Sequence, residues 1–258
     1  MWCDFKIFDI KNNEYILYKK FQSLEILNIS LSNNNVNINM MKNVSISDKD
    51  YPWIWNFFYN PIFYILEDKL MWIDFYNGVF KNYQIPWYIF KSENESKWNF
   101  ETITHKNVDL GNCKDCLSGS WHVLYDGTYN YIVIHNKHFD KCFETKIYEK
   151  HVGGVLVYWF SIIKIKNIEN FEKSDLEISE KYVLFQYNNE KTIGYLFING
   201  AVLDNNNKNI MILSGGVDDQ INVFLSVDLS KIKFYSFDEW LNDKIFIEIN
   251  NNEKFLCN

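Results

Sequence analysis

The chain reads as a mainly β protein: an antiparallel β-barrel or sandwich with a short C-terminal helix, joined to a β-rich N-terminal half. Three observations carry that expectation. Short runs rich in Ile, Val, Tyr and Phe recur along the 258 residues, separated by Asn, Asp, Gly and Ser, which is the composition of strands and turns. Three dipeptides, Asn77-Gly78, Asp126-Gly127 and Asn199-Gly200, lie between apolar runs, where they supply the positive φ angles of a type I′ hairpin. One segment carries a clear helix start, Ser236 followed three residues later by Glu239, the spacing of a capping box.

In the first half, Phe5–Ile10, Tyr15–Lys19, Leu24–Ile29 and Val36–Met40 read as strands, followed by Phe63–Leu66, Met71–Phe75 and Trp87–Phe90. Residues 48–58, with Pro52 and several aromatics, read as a short helix or turn. From Ser118 onward strands are expected at Trp121–Tyr125, Tyr129–His135, Cys142–Tyr148 and Val155–Ile165, then Tyr182–Tyr187, Thr192–Ile198, Ile210–Ser214 and Asn222–Ser226. The helix at Ser236 and a last strand, Ile245–Ile249, follow. The least apolar stretches lie around residues 91–96 and 107–120, so a boundary is expected near residue 110. That gives a β-rich region 1–110 and a barrel-like unit 111–258, with one merged β domain as the alternative.

Composition excludes several functions. No arginine occurs and all 26 basic residues are lysine, against 33 acidic ones, for a net charge of −7. Arginine provides the bidentate recognition of phosphate and guanine that lysine lacks, so nucleic acid is not the expected partner. Alanine occurs once and asparagine 34 times, a bias of AT-rich coding sequence. Mean hydropathy is −0.26, and no stretch approaches the roughly 18 uninterrupted apolar residues of a membrane span. The N-terminus has no basic region followed by an apolar one, and five cysteines is an odd number. A cytoplasmic location is therefore expected.

Ser118-Gly119-Ser120-Trp121 stands before the run of strands. Gly-x-Trp, eight antiparallel strands, a short helix and a final strand resemble the lipocalin pattern. Phe139-Asp140-Lys141-Cys142 is similar to a Phe-Asp-Cys segment of the lipocalin domain of violaxanthin de-epoxidases. Residues 158–162, Tyr-Trp-Phe-Ser-Ile, resemble that family's Ser-Trp-Arg-Ile strand, and residues 183–190 its Val-Leu-Tyr-Asn-His-Asp-Asn-Glu segment. The resemblance covers residues 118–235. It implies a barrel that holds one small apolar ligand, with Trp121 packed across one end. Trp121, Tyr131, Trp159, Phe185 and Tyr195 are the aromatic residues expected to line it. De-epoxidase activity is not implied. Asn188 stands where the family has its active Asp, and Asn cannot exchange protons in acid–base catalysis. The family's cysteine-rich leader is missing too.

All five histidines, His105, His122, His135, His138 and His151, fall in one window with Cys113, Cys116 and Cys142. Cys113-x-x-Cys116 is followed by His135-x-x-His138 and Cys142, and zinc takes four N or S ligands of this kind. Cys113, Cys116, His135, His138 and Cys142 are the candidate metal ligands and zinc the candidate cofactor; no other cofactor is expected. The alternative is a pair of loop thiols beside surface histidines. There is no Gly-x-Ser-x-Gly, Walker loop, Gly-x-Gly-x-x-Gly or His-Glu-x-x-His motif.

Three functions follow. One is a non-catalytic intracellular protein binding a small apolar ligand. Another is a β-rich protein that docks a protein partner or self-associates, as an inhibitor, an immunity-type antagonist or a lattice former. The third is a zinc protein or hydrolase built on the Cys/His window. The absence of catalytic motifs favours a non-enzyme.

Overall fold

A computed structural model describes residues 5–10, 13–20, 23–32, 35–45, 62–66, 69–76, 79–85, 103–110, 118–119, 123–140, 155–183, 186–188, 191–193, 196–217, 221–243, 245–249 and 253–256. The expectations at residues 48–58, Trp87–Phe90 and Cys142–Tyr148 lie outside them. The described chain is mainly β, with one short α-helix.

The first four strands, β1 (Phe5–Ile10), β2 (Asn13–Lys20), β3 (Ser23–Ser32) and β4 (Asn35–Ser45), form an antiparallel meander in sequence order. The next sheet is a second meander of β5 (Ile62–Leu66), β6 (Lys69–Tyr76), β7 (Val79–Ile85) and β8 (Ile103–Asp109). Tyr76 pairs with Val79; the turn expected at Asn77-Gly78 lies outside the described residues. Strands alternate their faces, and this sheet turns Ile62, Tyr64, Met71, Ile73, Phe80 and Val108 into the core.

The second half begins with β9 (Ser118–Gly119), β10 (Leu124–Tyr125), β11 (Asn130–Asp140), β12 (Val155–Ile165), β13 (Glu177–Ser179) and β14 (Lys181–Val183). Then come β15 (Gln186–Asn188), β16 (Lys191–Ile193), β17 (Leu196–Leu203), β18 (Ile210–Val217) and β19 (Ile221–Asp228). The last elements are β20 (Phe234–Ser236), α1 (Phe237–Asn242), β21 (Ile245–Glu248) and β22 (Glu253–Leu256). A nine-stranded sheet runs β10-β11-β12-β14-β21-β22, with β9, β13 and β20 attached, and β17-β18-β19 forms its own sheet. β14 and β21 are parallel, a departure from the all-antiparallel expectation that follows from the long excursion between them.

The hairpin β11–β12 is the centre of the packing. Its strands pair from Asn130↔Ile165 to Asp140↔Val155. Ile132, Ile134, Trp159, Ile163 and Ile165 share one buried cluster with the β5–β8 side chains, Phe171, Phe237 and Trp240. Tyr131, Val133, Phe160 and Ile162 share another with Leu196, Ile198, Ala201, Met211 and Leu213 of β17–β18. Both faces of the ribbon are therefore covered. That explains why its sequence runs almost continuously apolar instead of alternating. Each such Ile or Phe contributes about 1.5–3 kcal/mol of burial.

Two buried serines join β12 to the strands beside it, where β13 ends and β14 begins. Ser179 Oγ accepts the Ile162 N–H at 2.8 Å and donates to the Glu180 carbonyl at 3.0 Å; Ser161 Oγ donates to the same carbonyl at 3.0 Å. Both side chains are fully buried, and each has its partners, as a buried hydroxyl requires. Helix α1 starts as its sequence dictates. Ser236 Oγ accepts the Glu239 N–H, and the Glu239 carboxylate accepts the Ser236 N–H at 3.0 Å.

Two of the three expected turn dipeptides behave differently. Asp126 donates its N–H to the Tyr129 carbonyl at 3.2 Å, so the tight loop is Gly127-Thr128 and Asp126 closes it. Gly127 takes φ 105° at the first central position, where a type II′ turn places glycine. Asp126 is drawn out of the turn centre because its Oδ1 accepts the N–H groups of Thr128 and Tyr129, at 2.6 and 2.7 Å. Asn199-Gly200 is not a turn at all. It lies within β17, at a bulge where the register with β18 shifts between Ile198 and Gly200.

Candidate functional site

The bulge in β17 has a packing reason. Leu196 and Ile198 are buried on one parity, and Ala201 is buried on the other. One extra residue at Asn199 flips the alternation, so both groups face the core of Val133, Phe160 and Ile162. The close approach at this point needs glycine across the ladder: a Cβ on Gly215 would stand 2.5 Å from the Phe197 carbonyl oxygen.

The opposite, outward face of this sheet carries exposed apolar side chains among Ser214, Asn222 and Ser226. Val202 pairs with Ile212, Ile212 with Ser226, and Ser214 with Phe224. Val202, Ile212 and Phe224 therefore lie on one face, at 50%, 37% and 75% exposure. Residues 196–203, 210–217 and 221–227 include no charged residue, in a chain of which 23% is charged. Charges gather at the rim instead, as Asp204, Lys208, Asp228, Lys231 and Lys233. An apolar row with a polar rim is the make-up of a protein-contact surface. On β4, Val36 and Ile38 are also exposed.

Of the residues expected to line a ligand cavity, Tyr131 and Trp159 are among the described residues. Tyr131 and Trp159 sit on opposite faces of the β11–β12 ribbon, each in a different buried cluster. Tyr131 donates its hydroxyl to Asp126 Oδ2 at 2.8 Å. Burial, and then that carboxylate, push its ionisation well above the ordinary tyrosine value. Trp159 packs edge-on against Trp240 at 5.7 Å and Phe246 at 6.4 Å. Trp121, Phe185 and Tyr195 lie outside the described residues.

Of the candidate zinc ligands, Cys113, Cys116 and Cys142 lie outside the described residues. His135 and His138 both fall in β11, three residues apart, at positions of opposite parity along the strand. The His135 ring is buried and meets Phe197 edge-on at 4.6 Å, on the β17 side. Among the described residues no group of three or more His, Cys, Asp or Glu is placed to hold a metal ion.

Three polar clusters support these faces. At the first, burial opposes ionisation of Asp126, but the amides of Tyr129 and Thr128, the Tyr131 hydroxyl and the Lys164 charge outweigh it, holding the carboxyl below its ordinary value. Lys164 pairs with Glu177 at 2.7 Å and lies over the Tyr129 ring at 4.2 Å. In the second, the Glu180 carboxylate accepts the hydroxyls of Tyr182 at 3.2 Å and Tyr235 at 3.4 Å. Burial, then Glu180, raise the Tyr182 ionisation. The third is Lys181, buried between β14 and α1. Its ammonium donates to the carbonyls of Trp240 and Asp243, capping the end of the helix where unpaired carbonyls gather. It also lies over the Trp240 and Phe246 rings at 4.8 and 5.6 Å. Each of these groups is engaged in holding elements together.

No helix among the described residues is long and apolar enough to cross a membrane. Sequence reasoning missed the β17–β19 surface because it read Asn199-Gly200 as a turn; the absence of charge over residues 196–203, 210–217 and 221–227 is the signal that could have found it. Comparison with protein-family models and with curated proteins finds no match for the chain.

Proposed function

We propose that this is a non-catalytic β-sheet protein that acts by associating with a protein surface, its own copies included. The observation that carries the reading is the β17–β19 sheet, uncharged over residues 196–203, 210–217 and 221–227, with Phe224 exposed at its outward face beside Ile212 and Val202. The buried side chains behind it belong to a closely packed cluster that includes Tyr131 and Phe160, so the face presents a firm template instead of a collapsible one. Polar groups that chemistry would need, at Asp126, Glu180 and Lys181, are each committed to structural hydrogen bonds.

One observation favours the small-ligand reading. The Trp240 indole N–H is buried without a hydrogen-bond partner among the described residues, amid Trp159, Phe237 and Phe246. A buried donor left unpaired is costly, and an oxygen on an apolar ligand would satisfy it.

Native mass spectrometry of the full chain, with amide exchange by mass spectrometry, separates the readings. Association predicts a discrete protein complex in which the β17–β19 amides exchange more slowly than in the dilute chain. A monomer carrying a lipid-sized adduct overturns it in favour of the ligand-binding barrel, and one carrying zinc in favour of the Cys/His window.

A further inference from the structure

We propose that Asn199 is a self-modification site, where the Gly200 amide nitrogen displaces ammonia from the Asn199 side chain and leaves a carboxylate on the outward face of β17–β19. The proposal goes beyond the association reading and does not depend on it. Asn199 is the extra residue of the β17 bulge. Ile198 pairs with Gly215 and Gly200 with Ser214, so Asn199 itself is left out of the ladder. Asn199 is exposed to water. The residue that follows it is glycine, so no side chain crowds the attacking nitrogen.

Ser214 completes the arrangement from β18. Its hydroxyl donates to Asn199 Oδ1 at 3.4 Å. A Cβ on Gly200 would collide with the same Oγ, so this hydroxyl lies beside both the amide that is attacked and the residue that attacks. A donor at that carbonyl stabilises the oxygen charge that develops as the new bond forms.

The reaction balances with water alone. Hydroxide takes the Gly200 amide proton. The nitrogen bonds to Asn199 Cγ while the C=O electron pair moves to Oδ1. Collapse restores the C=O and breaks the Cγ–Nδ2 bond, and Nδ2 takes a proton from water and leaves as ammonia. Water then opens the succinimide. Breaking its Cγ–N bond gives aspartate; breaking the backbone C–N bond gives isoaspartate, with the main chain running through Cγ. Either product is a carboxylate, set in strands that carry no charge over residues 196–203, 210–217 and 221–227.

Other residues lack part of this arrangement. Asn205, Asn206 and Asn207 are exposed in the loop between β17 and β18, but each precedes a residue whose side chain crowds the nitrogen. Asp126 also precedes a glycine. Its carboxylate, however, accepts the N–H groups of Thr128 and Tyr129 and the Tyr131 hydroxyl, and an ionised carboxylate resists attack by an anionic nitrogen.

Peptide mapping of the aged full chain tests the proposal. The folded chain is held in mildly alkaline buffer, sampled over time and cleaved after lysine under mildly acidic conditions. Peptide 192–208 carries Asn199 and the three loop asparagines together. Electron-transfer fragmentation places each amide-to-acid change and separates isoaspartate from aspartate. Both products are expected at position 199, faster than any change at Asn205, Asn206 or Asn207, and at a rate that climbs with pH. Ser214→Ala should slow the reaction by about two- to tenfold, the effect of one hydrogen bond, with circular dichroism confirming its fold. Ser214→Thr, which keeps the hydroxyl, should retain the rate, and in urea wild type and Ser214→Ala should react alike. Asn199 left intact in the folded chain overturns the proposal, as does a rate no greater than that of the loop asparagines. A folded-chain rate that Ser214→Ala leaves unchanged or raises means reaction through unfolded chains, and also overturns it.

Discussion

Replacing Lys181 by methionine should change stability by no more than about 1 kcal/mol in either direction, although it removes two hydrogen bonds from a buried ammonium. The competing effects are separable. Hydrogen bonds from a charged group contribute about 1.5–3 kcal/mol, and contact with an aromatic face about 1 kcal/mol. Against them stands the desolvation of an ammonium, several kcal/mol for a buried ion. The ionisation of Lys181 decides between them. Burial lowers it below the ordinary lysine value of 10.5 even though Asp243 pulls the other way. The folded chain thus holds this proton less tightly than the unfolded chain does. The charge is a net burden, and methionine keeps most of the stem that packs on Trp240 and Phe246.

The sign of the pH dependence follows. Between the folded and unfolded values the unfolded state binds more protons, so the Lys181 contribution to stability rises with pH in that window. Tyr131 and Tyr182 act oppositely: they stay neutral in the fold while tyrosines in the unfolded chain ionise near 10, so their effect lowers stability above that value. Urea unfolding followed by tryptophan fluorescence, repeated from about pH 7 to 10, isolates the lysine as the difference between wild type and Lys181→Met. The wild type should gain on the variant as pH rises. A loss above about 3 kcal/mol in the variant, or a difference that shrinks with pH, refutes the argument that desolvation outweighs the cap. Lys181→Ala should be worse than methionine by about 2–3 kcal/mol, because it also empties the space filled by the stem.

Ser179→Ala strands the buried Ile162 N–H and should cost about 1–2 kcal/mol in urea unfolding; a neutral result would mean that another acceptor takes over that amide. Gly215→Ala puts a Cβ 2.5 Å from the Phe197 carbonyl oxygen and 3.3 Å from Ile198 Cα. The backbone must shift, lowering stability by about 1–3 kcal/mol, and an unchanged melting temperature would contradict the bulge geometry. Asp126 has a lowered carboxyl pKa, so its contribution is fully present above the ordinary value of 3.8 and is lost as pH falls through the lower folded value. Asp126→Ala should therefore flatten the acid limb of the stability curve, and a limb as steep as wild type would remove Asp126 from its causes.

What could be read from the sequence depended on whether a local rule had a rival. Phe5–Ile10 and Val155–Ile165 match observed strands residue for residue, because both are dense in β-branched and aromatic residues and hold no glycine or proline to compete with a strand. The capping box at Ser236 is likewise self-contained. Asn199-Gly200 failed because the same dipeptide that suits a turn also suits a bulge. Only the partner strand, with Ile198 opposite Gly215 and Gly200 opposite Ser214, decides which. Strands β7 and β8 were missed since Val79–Ile85 and Ile103–Asp109 carry lysine and asparagine at positions that simple alternation leaves ambiguous. The site depended on register in the same way. Tyr131 and Trp159 look like two aromatic residues of one barrel until Tyr131 is paired with Lys164 and Trp159 with Asn136, which puts them on opposite faces. The lack of charge in residues 196–203, 210–217 and 221–227 was visible as sequence, but it acquires meaning only once the bulge divides the apolar residues between two faces. Leu213 and Met211 then account for the core, while Ile212 and Phe224 are left facing outward. A folded chain this rich in Asn, Lys and Asp had polar residues to spare for those positions, and their apolar character is the feature on which the proposed association rests.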